Sequence, residues 1–307
     1  MALLQLAPPQ IGAVGSASPN FYLDTTAVAF IRALDTTKEC IMNIGETWAS
    51  PRQFQMELME SLLEHSTGRN FKSALYWLFL RHELGAALVS DISIQIPLPS
   101  LPPYPAEGEF GPDPFEREFC FANHPLWLCA RAIKFIHNED TIPQYPPMHM
   151  WTQLIEELQH WYQGRSPRFQ AMLELEMDRQ ESGLDQTFPI VLFGNGAGVF
   201  SNQLYHTAML ILLNNRPRTA PTADYHSAAM SPSWHAQRIC SIALNNERRE
   251  CWDPCLLASF ITAARRMTHE AQQQEILGGL SIIQETTGWN FGGLVGCLRN
   301  EWSILAS

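Results

Sequence analysis

Asp253-Pro254-Cys255-Leu256-Leu257-Ala258-Ser259-Phe260-Ile261-Thr262-Ala263-Ala264-Arg265-Arg266-Met267 is the stretch that decides the fold class. Its larger apolar residues, Leu256, Leu257, Phe260, Ile261, Ala264 and Met267, return every three or four positions. That period lays one stripe along an α-helix, whereas a half-buried strand alternates every second residue. Asp253 supplies a cap, and Pro254 suits a first helical turn, where a missing N–H is no loss.

Working outward, Ile276, Leu277, Leu280 and Ile283 form a second stripe. Gly278-Gly279 inside it predicts a kink or a close helix contact, and Thr286-Thr287-Gly288 ends it. Upstream, the same period predicts helices over 25–46, 51–65, 71–89, 116–138, 148–163 and 201–213. The expected architecture is all-α, a multi-helix bundle of antiparallel helices. Residues 1–21 read as an N-terminal arm and 22–307 as a single helical domain. From 97 to 114, seven prolines and two glycines exclude helix or central strand and mark a connector or lid. Pro143, Pro146 and Pro147 make a second break.

Of 307 residues, 46% are hydrophobic and 10% aromatic, enough for a large core. Only 17% are charged, which leaves a neutral polar surface or one that a partner contacts. The net charge of -11, with no block of Lys or Arg, argues against direct nucleic-acid binding, which draws on several cationic contacts to phosphates. Arg216 with Arg218, Arg265 with Arg266, and Arg248-Arg249 beside Glu247 and Glu250 read as solvated charges. No apolar run approaches the roughly 20 residues that span a bilayer, so no membrane span is expected. Residues 1–14 contain Pro8, Pro9 and Gln10 and lack the cationic start of a secretion signal, which points to the nucleus or cytoplasm. The seven cysteines read as reduced, mostly buried thiols. Cys251 and Cys255 have no second pair to complete a zinc site, and no metal or other cofactor is expected.

Four segments occur in a particular order: 151–161, bounded by Trp151 and Trp161; Arg165-Ser166-Pro167-Arg168-Phe169; Phe188-Pro189-Ile190-Val191-Leu192-Phe193; and Tyr205-His206-Thr207-Ala208-Met209-Leu210-Ile211-Leu212-Leu213. This order resembles the second fungal-specific transcription factor domain family, the effector region of zinc-cluster transcription factors. The resemblance runs back through 76–88 and forward through 236–242, Gly288-Trp289 and Arg299-Asn300-Glu301-Trp302. It implies an all-helical regulatory domain that, in some members, holds an apolar small molecule such as a sterol. The six-cysteine binuclear zinc module that precedes this region in the family has no counterpart in the sequence, where Cys40 is the one cysteine before Cys120.

The function this implies is an effector module without a DNA-binding domain, regulating transcription by binding an apolar small molecule or a partner protein such as another transcription factor subunit. The alternative is a stand-alone, cofactor-independent enzyme of fungal secondary metabolism using the same apolar pocket. That enzyme would be a cyclase or isomerase, for example one that performs an intramolecular Diels-Alder cycloaddition of a terpenoid or polyketide. Holding reacting carbons together lowers a barrier without a nucleophile or metal.

Tyr205 and His206 are the candidate catalytic pair. An imidazole on an apolar helix can move a proton near neutral pH or polarise a carbonyl, while the structural alternative is a core histidine bonded to backbone. His160 beside Trp161 carries the same two readings. Trp127, Trp161, Trp252 and Trp289 are the candidate ligand-binding walls, since aromatic faces hold flat or polyene molecules; core packing is the alternative. Gly194-Asn195-Gly196-Ala197-Gly198 misplaces the third glycine of a dinucleotide loop and reads as a flexible turn before the Tyr205 helix. Arg81 and Glu83, two apart, lie on different helix faces and are each expected to bridge helices. Glu174, Glu176 and Asp178 read as the solvated face of a polar helix.

Overall fold

Asn70, Asn195, Ser231 and Asp253 each accept a hydrogen bond on the side chain from a backbone N–H in the first turn of a helix. Such caps satisfy donors that a helix start otherwise leaves unpaired. The computed structural model describes residues 25–49, 56–67, 70–100, 114–137, 147–176, 187–218 and 227–305. In chain order these form α1 (Thr25–Ala49), α2 (Met56–Leu63), α3 (Phe71–Ser90), α4 (Pro114–Ile136) and α5 (Pro147–Gln163). The strands β1 (Leu173–Leu175) and β2 (Ile190–Leu192) follow. The chain continues through α6 (Gly196–Asn214), α7 (Pro232–Asn245), α8 (Pro254–Ala264), α9 (Glu270–Thr287) and α10 (Gly292–Leu305). The N-terminal arm, most of the proline-rich connector and Asp178 lie outside the described residues.

The all-α, multi-helix expectation holds, with one small addition. The apolar run before Gly194 forms β2, which pairs antiparallel with β1 so that Leu173 faces Leu192 and Leu175 faces Ile190. Glu174 therefore lies on a strand and not on a polar helix; alternation of acids every second residue is a strand period. The glycine segment is also more ordered than a flexible turn. α6 begins at Gly196, and a Cβ there would sit 2.5 Å from the Glu250 carbonyl oxygen. Gly279 serves as a close contact and not a kink: α9 is unbroken, and a Cβ at Gly279 would meet Leu244 at 2.3 Å.

Side-chain contacts between helices give their directions. From α4 to α8, neighbours in sequence alternate in direction. Trp151, early in α5, donates to the Leu212 carbonyl late in α6, while Arg165, just past α5, reaches Asn202 early in α6. α3 and α4 instead run parallel. Arg81 then lies beside Asn123 and Asp91 beside His137. α6 and α8 are also parallel, with Gln203 donating to the Leu256 carbonyl and Thr207 bonded to Ser259. So are α3 and α8, where Thr262 donates to the Leu88 carbonyl and Arg265 to the Val89 carbonyl.

Four like-directed helices, α3, α4, α6 and α8, thus form the centre of the molecule. α6 is buried without interruption from Gly198 to Leu213, which explains its lack of a polar stripe. Arg81 ties the four together: it pairs with Asp253 at the start of α8, donates to Asn123 and lies 4.3 Å from the centre of the Phe200 ring. Glu83, fully buried, accepts from the backbone N–H of Gln95 and fixes the segment leaving α3. One contiguous apolar core extends from Ala29 in α1 to Trp302 in α10.

Candidate functional site

Adjacent residues on a helix point about 100° apart, so Tyr205 and His206 meet different neighbours. Tyr205 stacks on Tyr162 at the end of α5, with ring centres 4.4 Å apart and planes within 19°. Trp161 lies 5.9 Å from Tyr205. His206 faces α7, where its Nδ1 is 2.9 Å from Nδ1 of His235. Trp234 stands edge-on to both imidazoles, at 5.3 Å and 4.9 Å. Two arginines flank the group. Arg165 lies 3.3 Å over the Tyr162 face and is held by the Tyr162 carbonyl and Asn202. Arg238, buried on α7, pairs with Glu174 at 2.7 Å and with Glu176, and sits over Trp234. The acids expected on a solvated face thus clamp the small sheet to α7.

The tautomers follow from the bonding. The Ala229 carbonyl can only accept, so His235 Nε2, at 2.9 Å, carries a proton and its Nδ1 offers a lone pair. His206 Nδ1 therefore donates, and His206 Nε2 keeps a lone pair. Burial pushes the His235 pKa down to about 4, with the positive charge of Arg238 adding to the effect and the Ala229 bond opposing it. His206 is pushed well below its usual range by burial first, then by His235, Arg238 and Arg165. Burial raises the Tyr205 pKa, so its phenol keeps its proton.

The cluster is consequently a set of neutral donors and acceptors at neutral pH. A His206 that exchanges its proton near pH 7 does not match this environment, because a charged imidazole there is both desolvated and faced by cations. Tyr205 makes no hydrogen bond through its hydroxyl among the described residues.

The four candidate tryptophans are dispersed. Trp161 belongs to the cluster and donates to the Phe121 carbonyl. Trp127, on α4, donates to the Pro99 carbonyl and supports the Arg131 guanidinium at 4.5 Å. Trp252 and Trp289 are half-buried against the core, and no ring contact joins either to the cluster. His160 is exposed, so it is not a core histidine. His235, Trp234, Tyr162 and Arg238 were not singled out by the sequence pattern. The available signal was Ser231-Pro232-Ser233-Trp234-His235, a capped proline start that places an aromatic and an imidazole in one first turn.

The six described cysteines are unbonded, five of them buried and Cys297 exposed. No helix among the described residues is long and apolar enough to cross a membrane. No family model, curated protein or solved structure matches the chain.

Proposed function

We propose that the chain is an effector-type binding module that holds an apolar small molecule or a partner protein in a regulatory role, as its motif order, similar to that of fungal transcription factor effector domains, implies. The observation that carries this reading is the mutual bond between His206 and His235. The imidazoles best placed for proton transfer are occupied by each other and kept neutral by burial. General acid–base chemistry wants a pKa near the working pH, and this pair has moved away from it.

A second reading rests on Tyr205. A buried phenol that stays protonated and has no hydrogen-bond partner among the described residues is the donor that a cofactor-independent cyclase needs to polarise a carbonyl. One experiment separates the two. The chain is fused to a heterologous DNA-binding domain with a reporter, and the purified protein is incubated with lipophilic extract and re-extracted. Extract-dependent reporter output with the ligand recovered unchanged supports the module. Time-dependent formation of an isomer of equal mass, abolished by heat denaturation, supports the cyclase and sinks the first reading.

A further inference from the structure

We propose that the half-open cleft where α3, α4, α6 and α8 end binds the neutral, carbonyl-bearing ring of an apolar small molecule and rejects charged analogues. This rests on the reading that the chain holds an apolar ligand, and it names the chemistry of that ligand. Because the four helices are parallel, their last turns converge. The concavity between them has a volume of ≈ 120 Å³, and its floor is aliphatic: Leu88, Ile133, Ile136, Leu210 and Ile211. A cavity of roughly 150 Å³ holds benzene, so this one takes a single carbocycle or a short branched chain.

Charge at the rim narrows the class. Each helix C-terminus carries roughly half a negative charge, and Asp91 adds a full one, so an anion is disfavoured. Arg266 also lines the cleft, so a cation is disfavoured too. Several helix-end carbonyls are already taken: Leu88 by Thr262, Val89 by Arg265 and Ile211 by Asn215. What is left over is polar: His137 Nε2, buried without a hydrogen-bond partner among the described residues, and the Arg266 side chain. The Arg266 guanidinium forms no ion pair or hydrogen bond among the described residues, and partial burial lowers its pKa. A ketone or lactone oxygen accepts from it without bringing charge against the helix ends. Hydrogen bonds to a charged donor contribute enough for about a tenfold preference over the parent hydrocarbon.

The test is a titration of the full chain, labelled at isoleucine δ1 methyls, with three probes that share one ring skeleton: carvone, limonene and perillic acid. Carvone is expected to shift the Ile133, Ile136 and Ile211 signals with at least about tenfold tighter binding than the hydrocarbon or the acid. Arg266→Leu, a substitution at an exposed position, is expected to remove the preference for the ketone while leaving limonene unchanged. Equal affinity for the acid, or saturation without movement of those three methyls, overturns the proposal. A reporter that answers a ligand leaving the three methyls unmoved sinks the cleft and spares the module. Carvone bound in the cleft with a silent reporter does the reverse.

Discussion

His206 and His235 meet through like nitrogens, Nδ1 to Nδ1 at 2.9 Å, so that one proton serves both and protonating both rings would put two donors face to face. This contact joins α6 to α7 inside the core and adds to the acid sensitivity of the fold, as does His124, which burial also pushes down to about 4.

Stability is expected to fall with acidification. Both imidazoles have folded pKa values below the unfolded value of about 6.5, so their contribution is present above that pH and is lost as pH falls towards about 4. The shift of His235 alone corresponds to something on the order of 3 kcal/mol across that window. Urea midpoints measured at pH 7.5 and 5.5 should drop for the native chain. The double variant His206→Gln, His235→Gln should show a shallower slope; an unchanged slope would show that the pair does not govern this window.

Arg238 and its two carboxylates should respond asymmetrically. Removing both partners in Glu174→Gln, Glu176→Gln strands a charge that is 5% exposed, and breaking such a pair costs about 3–5 kcal/mol when fully buried. The half-exposed carboxylates reduce that to about 2 kcal/mol. Arg238→Met leaves only solvated acids behind and should cost about 1 kcal/mol. Chemical denaturation that gave the opposite order would refute this account of the clamp.

Two glycines should behave in opposite ways on replacement by alanine. Gly196→Ala forces a methyl against the Glu250 carbonyl and should destabilise by about 1–3 kcal/mol, because both partners are backbone-fixed. Gly278→Ala meets open space on a regular helix and should stabilise by about 0.5–1 kcal/mol. Thermal melts of the two variants should lie on either side of the native curve.

At Asp253 the cap and the ion pair can be separated. Its Oδ1 accepts from the Cys255 N–H, while Oδ2 pairs with Arg81 at 3.4 Å. Asp253→Asn keeps an acceptor for the cap and should cost below about 1 kcal/mol, whereas Asp253→Ala should cost about 1 kcal/mol more. Equal losses for the two variants in equilibrium unfolding would assign the whole effect to the charge.

Where one apolar stripe faced one polar stripe, the sequence was nearly sufficient. α5, expected over 148–163, spans Pro147–Gln163. The start of α6 was missed by five residues because glycine propensity disfavours helix, while the Asn195 cap and tight packing on Glu250 override it. α7 was under-read, since Ser233, His235 and Gln237 dilute its apolar period. Tyr205 and His206 were legible as unusual on an apolar helix. Their partners were not: His235 lies 29 positions on and Tyr162 on another helix, and pairing at that range has no local period. The parallel sense of α3 and α4 was hidden too, because contacts such as Arg81 with Asn123, 42 positions apart, have no local period.

The contact between Arg81 and Asp253 spans 172 positions, and the face of α3 that it anchors is completed by α8. During synthesis, at about 5–20 residues per second, α3 is finished on the order of ten to thirty seconds before its neighbour emerges. The centre of the fold therefore cannot close until the ribosome has passed α8. A nascent chain stopped ahead of α8 presents an apolar helix with one wall missing, which makes it a substrate for chaperones rather than a smaller working domain.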